Sequence, residues 1–294
     1  GAENFVQGVQ NSCNPVFMEI GERLGAETFL EYMQKFGFAQ KTGVDLAGEA
    51  TGIIHKLENI GPVELATMSF GQSFQITPLQ LLRAASSIVN GGHLVTPHFA
   101  KGIADEEGNM VEAFQYEKGE QIISRETSET MKTILESVVS EGTGSKAYIP
   151  GYRIGGKTAT SEKLPRRSGK YIASFMSFAP AENPQVMALV LIDEPQGVYY
   201  GGTVAGPVMQ ELLQNILPYL GIEPKYNEKE AEEAADLKTT VPDLKGLTMN
   251  EAKTALFQAG LSAEIETEGE KVERQMPPAG ETVNKGTKIL LYFR

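Results

Sequence analysis

The chain contains no tryptophan, one cysteine and three histidines among 294 residues. A lone Cys13 excludes an intrachain disulfide. His55, His93 and His98 are scattered and form no metal-ligand cluster with it, so no metal or other cofactor is implied. Basic residues are also short: 26 Lys and Arg stand against 38 Asp and Glu, for a net charge of −12. That sign argues against a nucleic-acid partner, since phosphate binding needs basic surface. Long apolar runs are missing too. The most apolar stretch, Val186–Ile192, is too short to span a bilayer. No signal-peptide pattern opens the chain, so any membrane attachment is expected only through an N-terminal anchor outside it.

What is present suffices for a sizeable core. Hydrophobic residues make up 41% and charged residues 22%, which is globular composition. Composition shifts after Gly221: residues 223–238 hold six acids, three lysines and no strong apolar pattern. They read as an acidic linker with some helical character between a large domain, 1–222, and a small one, 239–294. Residue counts assign −8, −3 and −1 to the three parts, so most of the acidity lies on the large domain.

Start and stop signals place the elements. Thr77 precedes Pro78 with Gln80 three positions on, a capping box ahead of a helix over Leu79–Val89 that Gly91-Gly92 ends. Ser124 caps a second helix whose inward face carries Met131, Ile134, Leu135 and Val138. Asn14-Pro15 opens a third, with Phe17, Ile20 and Leu24 inward, and a fourth covers Ala26–Phe36. Arg153–Ser161 is a candidate strand, and Ile172–Phe178 with Gln185–Ile192 form a hairpin about the turn APAENP. A helix near Val204–Leu217 then buries Val208, Leu212, Leu213 and Ile216. Helices, three antiparallel strands and a helix define an α+β fold. In the small domain Thr248 and Glu251 cap a helix with an apolar stripe, and strands follow near 262–267 and 287–293.

Two short stretches carry candidate chemistry. Ser12-Cys13-Asn14 is weak alone, because Asn14 ahead of Pro15 equally reads as a helix cap. Lys157-Thr158-Ala159-Thr160 alone equally reads as a surface strand. However, Gly155, Gly156 and Ala159 leave one face nearly bare for another molecule to approach, and Lys157 with Thr158 and Thr160 suits an anionic group lying along the strand.

Taken together and in this order, the two stretches resemble two of the three motifs of the active-site-serine, penicillin-binding acyltransferases, S-x-N and K-T-G. Residues 68–99 (MSFGQSFQITPLQLLRAASSIVNGGHLVTPHF) and 171–195 (YIASFMSFAPAENPQVMALVLIDEP) are similar to class B penicillin-binding proteins. The tail from Val241 resembles a PASTA domain, a combination typical of Gram-positive cell-wall synthases, the sporulation type among them. The resemblance implies a penicillin-binding-protein/β-lactamase-like fold. It also implies a peptidoglycan D,D-transpeptidase on the outer face of the cell membrane, with stem peptides and β-lactams as ligands and cell-wall synthesis or sporulation proteins as partners.

By the same resemblance Ser12 relays a proton toward the leaving amine, Asn14 orients substrate and base, and Lys157 raises the cleft potential. Thr158 and Thr160 bind the terminal carboxylate, and the Thr160 N–H supplies half the oxyanion hole. Cys13 is packed beside them without a role.

There are two departures. Ala159 stands where the family usually has Gly. No serine is followed three residues later by lysine, so the family's nucleophile motif is not in this chain and is expected upstream. Without it the chain is expected to be inactive alone and to oligomerise through exposed edge and apolar surface. The competing reading is a non-catalytic wall-binding scaffold that keeps the fold. A soluble β-lactamase or carboxypeptidase is disfavoured by the tail. Two further surfaces are left open: the loop from Lys163 to Lys170, with four positive charges, as a solvated loop or a contact for anionic polymer, and the tail as a ligand module or a spacer.

Overall fold

The computed structural model describes residues 2–116, 119–165 and 167–294 and divides into two compact units, Gly1–Glu223 and Pro224–Arg294. In the first, helices α1 (Phe5–Gln10), α2 (Asn14–Lys35), α3 (Pro62–Ser69) and α4 (Pro78–Val89) precede a small ribbon, β1 (Gly102–Ala104) with β2 (Met110–Ala113). Helix α5 (Arg125–Ser140) leads to β3 (Gly155–Glu162), β4 (Tyr171–Ala179) and β5 (Val186–Asp193), and α6 (Gly201–Tyr219) closes the unit. The expected caps are in place: Thr77 and Gln80 close a reciprocal box, and the Ser124 hydroxyl accepts from the Thr127 amide. The two helices expected over 14–36 form one helical run, α2, broken at Gly25, whose φ of 76° no helix interior tolerates.

The sheet runs in the order β3-β4-β5, antiparallel throughout, as the α+β reading requires. Phe175 and Ala179 of β4 pack with Val139 of α5 and with Ala205, Met209, Leu213 and Leu217 of α6, all nearly or fully buried. Leu213 is inward as expected, and the expected face of α6 is corrected at Val208 and Leu212. Val208 and Leu212 are outward, 46% and 38% exposed, because the stripe 205-209-213-217 presents the residues that fit against the sheet. Leu24, expected inward, is likewise 46% exposed. Among the described residues strand β5 pairs only with β4, and Val186–Leu191 remain partly exposed, so that edge of the sheet is open.

The glycines ahead of Lys157 do not provide an open docking face, contrary to expectation. A Cβ on Gly155 would enter the Phe178 ring, and one on Gly156 would lie 2.6 Å from the Met176 carbonyl and 2.8 Å from the Phe175 ring. Both glycines are buried and admit core aromatics against β3.

The second unit contains α7 (Glu228–Asp236), β6 (Lys238–Thr240), α8 (Met249–Gln258), β7 (Ser262–Thr267), β8 (Val272–Met276), β9 (Thr282–Asn284) and β10 (Lys288–Phe293). Strand β10 pairs in parallel with β7 and antiparallel with β8, while β6 pairs with β9. Val241, Leu244, Ala252, Leu256, Ile289 and Leu291 form its core. Among the described residues no helix is long and apolar enough to cross a membrane.

Candidate active site

The site forms where the turn between α1 and α2 meets β3. Helix α1 is capped by Asn4 and Gln7 in a reciprocal box and ends at Asn11. Ser12 then adopts φ +55°, a left-handed conformation that a non-glycine residue holds only under local constraint. Its amide donates to the Val9 carbonyl at 3.2 Å, and the Cys13 amide donates to the Gly8 carbonyl at 2.9 Å. This sharp reversal turns the serine side chain toward β3.

Across 145 residues of sequence, the Lys157 ammonium donates to Ser12 Oγ at 2.6 Å and to the Thr158 carbonyl at 3.0 Å. No carboxylate pairs with Lys157 among the described residues. Burial therefore acts uncompensated and pulls its pKa from 10.5 to about 8. Since the ammonium occupies a lone pair of Ser12 Oγ, the serine proton remains available to a third group. The pair thus sets a titratable ammonium against a serine hydroxyl whose own proton is unengaged.

Asn14 is the first residue of α2 and does not cap it; Cys13 holds the N-cap position without a side-chain bond. The Asn14 side chain is exposed and makes no hydrogen bond to another described residue. Its expected helix-capping alternative is therefore not realised, and the amide is available to a ligand. Cys13 is a free, half-buried thiol.

The two threonines differ. Thr160 Oγ1 accepts the Gly201 amide at 3.1 Å and so keeps its own proton for an incoming anion. Thr158 is only 8% exposed, and its hydroxyl lies 3.1 Å from that of Thr143. Thr143 Oγ1 also lies 3.1 Å from the Gln10 carbonyl, which can only accept. With the Thr143 proton on Gln10, the Thr158 proton falls to Thr143. Ala159 is exposed on the strand between them. Thr143 was not singled out from the sequence; the available signal was a Gly-Thr-Gly turn directly after a strongly patterned helix.

Two of the four positive charges in the loop beyond β3 are paired with acids. Lys163 bridges Asp193 and Glu194 at 2.9 and 2.8 Å, and Lys170 reaches Glu194 at 3.1 Å. The reason is the hairpin, which brings the acidic end of β5 back beside the start of β4, next to the end of the loop. Arg166 of that loop lies outside the described residues.

The site thus brings together a half-buried lysine on an edge strand, a serine in hydrogen bond with it, an asparagine that no described residue pairs, and a threonine proton free a short way along the strand. Residues 1–214 match the penicillin binding protein transpeptidase domain, and residues 239–294 match the PASTA domain. The chain belongs to the penicillin-binding protein transpeptidase family and carries a PASTA domain at its C-terminus. It is 43% identical over 302 aligned positions to stage V sporulation protein D of Bacillus subtilis, covering 100% of this chain and 46% of that protein. It is 31% identical to the peptidoglycan D,D-transpeptidase FtsI of Escherichia coli, over 74% of this chain and 36% of that protein. Among solved structures, the transpeptidase domain of Burkholderia pseudomallei penicillin-binding protein 3 superposes with a TM-score of 0.66 at 31% identity, over 76% of this chain and 66% of that one. The chain thus spans less than half the length of these two curated relatives.

Proposed function

We propose that this chain supplies the S-x-N and K-T-x-T walls of a peptidoglycan D,D-transpeptidase domain, residues 1–222, joined by the acidic linker 223–238 to the PASTA domain, 239–294. The nucleophilic serine and its lysine come from an S-x-x-K segment outside these 294 residues. The observation that carries this reading is the 2.6 Å contact of Lys157 with Ser12, next to the free Thr160 proton.

In the reaction, the nucleophile's Oγ attacks the penultimate carbonyl of a D-alanyl-D-alanine stem peptide. The peptide C–N bond breaks, and D-alanine leaves with a proton passed through Ser12. An amine of a neighbouring stem then attacks the ester and regenerates the serine. Lys157 keeps Ser12 polarised, Asn14 orients the donor's amide, Thr160 binds the terminal carboxylate, and the Thr160 N–H contributes to the oxyanion hole. β-Lactams enter as donor mimics. The natural protein acts at the outer face of the membrane, held by an N-terminal anchor, in sporulation or division-type wall synthesis.

The inequality of the two threonines yields a test. In the natural protein, Thr160→Val lowers the penicillin acylation rate about 10–100-fold, the effect of losing one hydrogen bond to a charged group, whereas Thr158→Val lowers it only a few-fold. Acylation rates against benzylpenicillin and its methyl ester check this: Thr160→Val removes most of the preference for the free carboxylate. An equal loss in both variants would contradict the assignment.

By itself the 294-residue chain keeps the open edge of β5 described above, and strand edges of this kind pair with other chains. It is expected to self-associate, and a concentration-independent monomer in multi-angle light scattering would count against this.

A further inference from the structure

Most of the candidate site is accounted for by the two motif stretches. One set of bonds is not: the turn after α5 joins the segment before Ser12 to the strand that carries Lys157. The Thr143 amide and hydroxyl both reach the Gln10 carbonyl at 3.1 Å, and the hydroxyl also meets Thr158 Oγ1 at 3.1 Å. Gln10 is reached a second time, its side-chain amide donating to Glu141 at 3.2 Å. The turn fits because its flanks are bare: a Cβ on Gly142 would lie 2.7 Å from the Gln10 carbonyl. The Thr143 carbonyl sits against Gly202, at the start of α6, where a Cβ would collide with it.

We propose that Thr143 is a positioning residue: a hydroxyl clamp between Gln10 and Thr158 that fixes the turn bearing Ser12 onto Lys157. The physical need is specific. Ser12 sits in a left-handed conformation that its own backbone does not favour, two residues after Gln10. Among the described residues, the hydrogen bond that joins the two motif stretches is the Lys157–Ser12 contact. Thr143 supplies the second tie, reaching Thr158 but with no hydrogen bond to Ser12 or to the Lys157 side chain. Its hydroxyl satisfies two partners at once, so a residue of the same shape without oxygen leaves the Thr158 hydroxyl, 8% exposed, without its partner.

The inference rests on the reading of Ser12 and Lys157 as a working pair, but its test needs no ligand and no nucleophile. Lys157 reports directly on the closure of the turn, because burial is the cause that lowers its pKa and no carboxylate opposes it. Loosening the turn admits water around the ammonium. The experiment follows Lys157 titration in the 294-residue chain, by amine modification at pH 8 read peptide by peptide in mass spectrometry.

In Thr143→Val the Lys157 pKa rises by about one unit, so its modification at pH 8 falls about five-fold while other lysines react unchanged. Thr143→Ser restores the wild-type rate, since it keeps the hydroxyl. Thr158→Val, which removes the other end of the clamp, shifts Lys157 in the same direction. A folded Thr143→Val chain whose Lys157 reacts like wild type would overturn the clamp, as would failure of Thr143→Ser to restore it. Should Thr143→Val unfold, the Thr158→Val and Thr143→Ser pair decides by the same readout. The peptidoglycan reading stands or falls separately, on penicillin acylation of the natural protein.

Discussion

Replacing Lys157 with methionine in the natural protein, with its nucleophile segment present, lowers the rate of penicillin acylation by about 10²–10⁴-fold, the range for loss of a positioned proton-transfer partner. Methionine has nearly the same length and fills the same half-buried space. What disappears is the donor to Ser12 Oγ and to the Thr158 carbonyl. On the proposed mechanism, Ser12 then loses the cation that polarises it, and its proton is no longer biased toward a leaving amine. The loss belongs to the acylation rate constant rather than to the initial penicillin affinity, because the proposed assignment gives the carboxylate to Thr160 and not to Lys157. Stopped-flow measurement of both constants separates the two. A variant with a weakened initial complex but a normal acylation step would mean that Lys157 is a substrate anchor only.

The same substitution stabilises the fold. Burial holds Lys157 near pKa 8 against 10.5 in the unfolded chain. At pH 7 the folded protein therefore carries a cation in a site that disfavours it, a cost of about 3 kcal/mol on the conversion of one pKa unit to 1.36 kcal/mol. The sign follows from proton counting. Between pH 8 and 10.5 the unfolded chain binds a proton at this position that the folded chain does not, so wild-type stability rises with pH across that window. Below pH 8 the cost is present in full.

Lys157→Met should therefore raise stability by about 1–3 kcal/mol at pH 7, with the advantage shrinking to nothing as pH approaches 10.5. Urea unfolding of the 294-residue chain at pH 7 and pH 10 measures it. A Lys157→Met chain less stable than wild type at pH 7 would show that the hydrogen bonds outweigh the desolvation. Activity and stability thus pull on Lys157 in opposite directions, as they do where a site is held in a strained electrostatic state.

Much of this was legible in the sequence where the cause is local. The Thr77-Pro78-Gln80 box and the Ser124 cap are set by bonds spanning three residues, so they can be read directly. The hairpin of β4 and β5 was legible from two apolar runs about a turn. Where pairing partners lie far apart, the reading failed. Strand β6 is a Lys-Thr-Thr segment whose partner β9 lies more than forty residues on, and neither segment has a strand's alternation. The stripe of α6 was read correctly at Leu213 but misread at Val208 and Leu212, because large side chains were given the inward face, while close packing on the sheet selected Ala205 and Met209.

The site shows the same division. Residue types and order pointed to Lys157, Thr158 and Thr160 as a site for an anion, while roles for Ser12 and Asn14 came only through likeness to a family. The roles of Gly155 and Gly156 were misread because a bare strand face looks the same from sequence whether a ligand or a phenylalanine approaches it. Thr143 was invisible because its importance lies in two contacts, to Gln10 and Thr158, from different parts of the chain.

The most direct test is intact-mass analysis after incubation with penicillin, comparing this chain with the natural protein that carries the S-x-x-K segment. The account predicts one penicilloyl adduct on the longer protein, mapped to a serine outside these 294 residues, and none on this chain. An adduct on Ser12 of this chain would contradict the relay role given to it. Absence of any adduct on the folded longer protein would replace the transpeptidase with a scaffold that keeps the cleft but not its chemistry.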